Sequence, residues 1–201
     1  MQTRRMRRRN PSVDARDARG QLASHGSSGF TIVEVMVAVV VLVIAIVGIV
    51  GAMLSAMALN RVNRETAIAQ QAARRAIEEV SGVPFREAFR IYNNNVGDGG
   101  LSMPERGGDF PVLGLQTQVG DPDGMCGRIV FPVDGAPGAE TLNELVVDPG
   151  LGMPRDLDML NGIDNNDHTL DYVVLPVRVL VEWRGVSGNR SIELETMMSW
   201  Q

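Results

Sequence analysis

Lysine is absent from the 201 residues, cysteine occurs once, histidine twice, and aromatic side chains make up only 4%. The single cysteine, Cys126, excludes an intramolecular disulfide, thiolate metal sites and paired-cysteine redox chemistry. Any core must therefore hold without a covalent staple. His25 falls in the N-terminal arginine-rich stretch, which leaves His168 as the one downstream imidazole. A lone histidine beside Asp167 reads as a surface residue rather than a general base. Neither a G-x-S-x-G nor a P-loop pattern occurs. Cys126, in "DGMCGRI", has no motif that would activate a thiol and reads as a buried or half-buried side chain. No enzyme is expected.

Charge of each sign is unevenly spread. Before Phe30 there are seven arginines and two acids, a balance of +5; from Phe30 onward there are twelve arginines and twenty-two acids, a balance of −10. The arginine cluster has no interleaved aromatics, so it does not read as a nucleic-acid surface. An apolar run comes directly after it. From Val35 to Leu59 about 25 residues carry no formal charge, and only Ser55 breaks the apolar composition. At about 1.5 Å per residue such a helix crosses a ~30 Å hydrocarbon core with some tilt. A soluble helix of this length would show a polar face. Arg4, Arg5, Arg7, Arg8, Arg9, Arg16 and Arg19 precede the span and place the N-terminus in the cytoplasm by the positive-inside rule. A secretory signal has a shorter apolar region, about 7–15 residues, and cleavage after it would discard most of the longest helix.

One residue in the run is out of place. Glu34 lies in "GFTIVEVMVAVVVLVIAIVGIVGAM", where a charge costs at least ~2.5–3.5 kcal/mol. A carboxylate snorkelling to the cytoplasmic headgroups is one account. The stretch as a whole resembles the processing signal of type IV pilins and type II secretion pseudopilins: a basic leader, glycine, phenylalanine, three residues, glutamate, then an apolar helix. The resemblance covers roughly residues 20 to 80. It implies cleavage after Gly29 by a prepilin peptidase, N-methylation of the new terminus at Phe30, and retention of the helix. It also implies that the Phe30 amine of one subunit pairs with Glu34 of a neighbour during assembly. Many major pilins carry a proline in the second half of this run; here Gly48 and Gly51 stand there, which inclines the resemblance toward a minor pilin or pseudopilin.

The helical pattern continues past Leu59. "NRVNRETAIAQQAARRAIEEV" contains neither glycine nor proline, and Val62, Ala69, Ala73, Ala76, Ile77 and Val80 form a narrow apolar stripe. One helix from Phe30 to Val80 is expected, ended by Ser81, Gly82 and Pro84. Arg61, Arg64, Glu65, Arg74, Arg75, Glu78 and Glu79 should be mostly solvated. Alanine without leucine in the stripe suits close packing on a sheet better than a coiled coil.

Beyond Pro84, "NNNVGDGG", "VGDPDG" and "DGAPG" are turn chemistry. "VLGLQTQV" and "GRIVFPV" read as short strands. In "DYVVLPVRVLVEWRG" Val173, Leu175, Val177, Val179, Val181 and Trp183 alternate, and "RSIELETMM" alternates again with Ile192, Leu194 and Thr196 after a "GVSGN" turn. The expected fold class is α+β: a long N-terminal helix, apolar then amphipathic, packed on a small C-terminal antiparallel sheet, as in pilins. The expected organisation is a leader over 1–29, a membrane and filament-core helix over 30–59, an amphipathic continuation over 60–82 and a head over 83–201 with a hairpin at 171–198.

"DLDMLNGIDNND" gathers oxygen donors: Asp156, Asp158, Asn161, Asp164, Asn166 and Asp167. Calcium takes six to eight oxygens, so the loop is a candidate calcium site, and some pseudopilins hold calcium in a comparable loop. Its spacing departs from the EF-hand: Leu160 falls where a ligand belongs and Gly162 comes one residue late. The competing reading is a solvated Asx turn needing no cofactor.

Together these readings lead to a minor pilin or pseudopilin. Its partners would be a prepilin peptidase and N-methyltransferase, other pilin subunits, an inner-membrane assembly platform and the lipid bilayer, with no nucleic acid. The precursor would be a single-pass inner-membrane protein with a periplasmic head. Surface pilus, secretion pseudopilus and DNA-uptake filament all remain open. The rival is an uncleaved signal-anchor protein with a periplasmic binding head.

Overall fold

In the computed structural model of the chain, the described residues are 29–95, 104, 106–160, 162–186 and 188–200. One helix, α1, runs unbroken over Ile32–Ser81. Its end is the expected one. The Gly82 amide donates to the Glu78 carbonyl at 3.0 Å, and Pro84 lacks the N–H that a further turn would need. The chain divides into two compact units between Ile49 and Val50.

In the first unit every residue from Gly29 to Ile49 is exposed. Among the described residues this apolar stretch is exposed throughout, and the helix is long and apolar enough to cross a membrane.

The second unit holds the core. Along α1, Glu65, Ala69, Ala73, Ala76 and Val80 are buried, a spacing of three and four that keeps them on one face. The sheet is antiparallel in the order β1 (Asp109–Phe110), β2 (Gly127–Val130), β5 (Val174–Gly185), β6 (Gly188–Ser199). A separate pair joins β3 (Val133–Asp134) to β4 (Thr141–Leu142). The long hairpin dominates: β5 and β6 pair from Val174↔Ser199 to Gly185↔Gly188. Leu175, Val177, Val179, Val181 and Trp183 of β5 are at most 2% exposed and belong to one core cluster with the α1 alanines. Each such side chain contributes roughly 1.5–3 kcal/mol by leaving water. Pro176 lies before β2 begins to pair at Arg178, so its missing donor interrupts no bond to β2. The short helix α2 (Ala88–Tyr92) closes the far end, with Phe89 edge-on to Phe131 at 5.3 Å.

Three expectations fail in particular places. "VLGLQTQV" is not a strand: Gly114 takes φ +91°, and the Leu115 amide turns back to the Val112 carbonyl. The segment reaches the sheet at Gln116, whose carbonyl accepts the Arg184 amide at 2.8 Å, and through the Gln118 side chain, which donates to Glu182 and accepts from Asn189. Val173 precedes β5 and donates its amide to Leu157 instead. Glu65, expected in solvent, is 8% exposed, because the end of the β5–β6 hairpin lies beside it.

Candidate functional site

Two places gather the candidate residues. The first is the start of α1. Gly29 and Phe30 are exposed and precede the helix, and Phe30 is 81% accessible. Thr31 is the residue before the first helical position, and its Oγ1 accepts the Glu34 amide at 3.2 Å. Thr31-x-x-Glu34 is therefore a capping-box sequence, in which the threonine satisfies one of the helix's orphan amides. Glu34 sits in the first turn, where a negative charge also meets the positive end of the helix dipole. Its carboxylate makes no ion pair among the described residues. The capping role is readable as S/T-x-x-E, although a charge inside an apolar run is the more conspicuous feature.

The second place is the loop from Asn143 to Tyr172. Glu144 is fully buried, and its two carboxylate oxygens accept the Leu157 amide and the Asp164 amide, the latter at 2.9 Å. His168 is 2% exposed, which corrects its reading as a surface residue. Its imidazole is encircled by acids. Nε2 is 3.2 Å from Asp164 Oδ1 and 3.6 Å from Glu144 Oε1; Nδ1 is 3.2 Å from Asp171 Oδ1 and 3.9 Å from Asp158 Oδ2. Burial alone would lower the His168 pKa, but Asp164, Glu144 and Asp171 outweigh it and the value is raised. The Asn166 amide, with a smaller contribution from His168, holds the Asp164 carboxyl below the ordinary range. The arrangement suits a cationic imidazolium that ties the loop together.

The expected calcium ligands are largely committed elsewhere. Asp156 accepts the amides of Met159 and Gly162, Asp158 that of Leu160, Asp164 that of Asn166, and Asp167 that of Thr169. The bonds from Leu160, Asn166 and Thr169, each two residues on, are Asx-turn bonds. Asn161 lies outside the described residues. Among the described residues, Glu144, Asp156 and Asp158 bring three carboxylate oxygens within 4.8 Å of one another; Asp167 belongs to no such group. Calcium fits this donor set poorly: both Glu144 oxygens already accept backbone amides, and the neighbouring groups include a histidine nitrogen. No local pattern marks Glu144, which lies at the start of this loop, distant in sequence from the aspartates, held there by the Asn143 amide donating to the Pro132 carbonyl.

Cys126 is buried, and desolvation raises its thiol pKa, the opposite of an activated nucleophile. Comparison of the chain with protein-family models, curated proteins and solved structures finds no match in any of the three.

Proposed function

We propose that the chain is a structural subunit of a pilin-type filament, a minor pilin or pseudopilin, made as a membrane-inserted precursor. The observation that carries this reading is the start of α1. An accessible Gly29–Phe30 bond stands two residues before a capped helix whose first turn holds Glu34, and the adjoining apolar surface is wholly uncovered. Lipid before assembly and neighbouring helices after it would cover that surface.

On this reading a membrane-embedded peptidase cuts after Gly29, and the freed, methylated Phe30 amine keeps its positive charge. Cutting moves a cation to the depth of Glu34. An acid and an amine from adjacent subunits are far cheaper together in a low-dielectric setting than either is alone. Assembly is then favoured only where the helices lie in the register that joins them. The arginine-rich leader orients the precursor with its head in the periplasm. The chain's work is mechanical and involves no catalysis. Its partners are the prepilin peptidase, sister subunits and the inner-membrane platform that adds them.

A second reading has one observation in its favour: Thr31-x-x-Glu34 is a capping-box sequence whose threonine already holds the Glu34 backbone amide, so a glutamate here can serve the helix start with no partner subunit. An uncleaved anchor with a periplasmic binding head would need nothing more. Two substitutions separate the readings. Glutamine still serves a capping box, so Glu34→Gln keeps the helix start and removes only the charge. The pairing account predicts that E34Q is inserted and cleaved but enters filaments at least ten-fold less than wild type, much as E34A does. Normal incorporation of E34Q alongside loss in E34A would reduce Glu34 to a cap.

A further inference from the structure

The apolar surface of α1 ends at Leu59, and the next turn carries Arg61 and Arg64, both exposed. At 1.5 Å per residue they lie about 3 Å and 8 Å farther along the axis. The headgroup layer of a bilayer adds about 5–8 Å on each side of its hydrocarbon. A span ending at Leu59 thus sets both guanidinium stems among headgroups.

The β5–β6 hairpin brings more positive charge to the same level. A methyl on Gly185 would lie 3.3 Å from Glu65 Oε2 and 2.9 Å from the Arg190 side chain, so the hairpin end sits beside the turn holding Arg61 and Arg64. Arg184 and Arg190 flank that end, and Val186 at its tip is 50% exposed. Among the described residues, Arg64, Arg184 and Arg190 have no carboxylate within 4 Å. Arg61 Nε donates to Glu65 Oε1 at 3.0 Å while its side chain remains 64% exposed. The acids nearby are the buried Glu65, Glu182, which accepts Gln118 Nε2, and Asp121, which lines the same cleft as Glu182. The four arginines thus outnumber the acids beside them, on a chain that is otherwise acidic from Phe30 onward. Self-association would leave these like charges opposed.

We infer that Arg61, Arg64, Arg184 and Arg190, with Val186 between the last two, form a collar that seats the head on the phosphates of an anionic membrane surface. Guanidinium binds phosphate through paired hydrogen bonds, and long arginine stems reach back toward the headgroups. The hairpin becomes the second foot of the head, α1 being the first. The inference rests on the membrane-span reading of α1 and not on filament assembly.

The test places a bimane fluorophore at Val186→Cys in the full chain, with Cys126→Ser, and reconstitutes it into nanodiscs. Headgroup spin-labelled lipid is the quencher, in phosphatidylcholine alone or with about 30% phosphatidylglycerol. The collar predicts several-fold stronger quenching with phosphatidylglycerol and its loss at about 0.5 M salt. It predicts the same loss in the Arg64→Gln, Arg184→Gln, Arg190→Gln variant, with partial recovery when lysine replaces glutamine. Each arginine near an anionic surface is worth about a five-fold change in local association. Weak quenching at Val186 in both lipids would overturn the collar, as would equal quenching in both. A second label at Gly48→Cys, read with acyl-chain spin-labelled lipid, keeps the failures apart. Strong quenching at Gly48 beside none at Val186 rejects the collar alone; none at Gly48 rejects the span beneath it.

Discussion

Two ionisable residues stand out, and they differ in their surroundings. Glu34 is exposed on the helix surface and makes no ion pair among the described residues. His168 is enclosed, with Glu144, Asp158, Asp164 and Asp171 all within 4 Å. Because its folded pKa lies above the unfolded value of 6.5, the imidazolium stabilises the head fully below pH 6.5. That contribution is lost as pH rises through the folded value. The detergent-solubilised chain should therefore melt at lower temperature at about pH 8.5 than at about pH 6. His168→Gln should melt lower than wild type at the acidic pH and show a smaller change between the two. An equal change in both proteins would mean that another group sets the dependence. Glu34 was legible because a charge among apolar neighbours is conspicuous within a few residues. His168 was not, since Glu144 meets it only through the fold, and an isolated histidine among aspartates gives no local sign of being enclosed.

The elements of the second unit share one core between helix and sheet. Ala69 and Ala73 have no accessible surface and share one core cluster with the valines of β5. Ala73→Leu should force the layers apart at a cost of about 1–3 kcal/mol, read as a lower denaturation midpoint of the head. Trp183→Ala, which empties the largest buried side chain, should cost about 3–5 kcal/mol. A loss below about 0.5 kcal/mol for Ala73→Leu would show that α1 and the sheet are not tightly packed. The β5–β6 hairpin was plain in the sequence because its alternation survives over two long strands. Of the short strands, β2 was readable within "GRIVFPV", whereas two-residue pairs such as β3–β4 have no periodicity to read. The acidic loop combines both cases: its density of Asp and Asn was visible, but not the use of those oxygens as caps for its own amides. That use predicts no change in melting temperature on adding millimolar calcium or a chelator; a rise of several degrees with calcium would establish a metal site there.

At the scale of the molecule, one helix changes character along its length. Its first half offers only exposed apolar side chains around Glu34, and its second half buries a stripe of alanines against a sheet. Neither half needs a disulfide, and the single buried cysteine supplies none. The change of character at Leu59 was legible from composition, and so was the α+β arrangement. The buried Glu65, where the hairpin end meets the helix, came only from the packing.

The measurement that tests the central claim most directly is the intact mass and N-terminal sequence of the chain extracted from membranes of cells that carry the peptidase. A pilin-type subunit predicts a polypeptide beginning with N-methylated Phe30 and retaining the whole apolar helix. A chain that still bears its arginine-rich leader, or one cut beyond the apolar run, would contradict it.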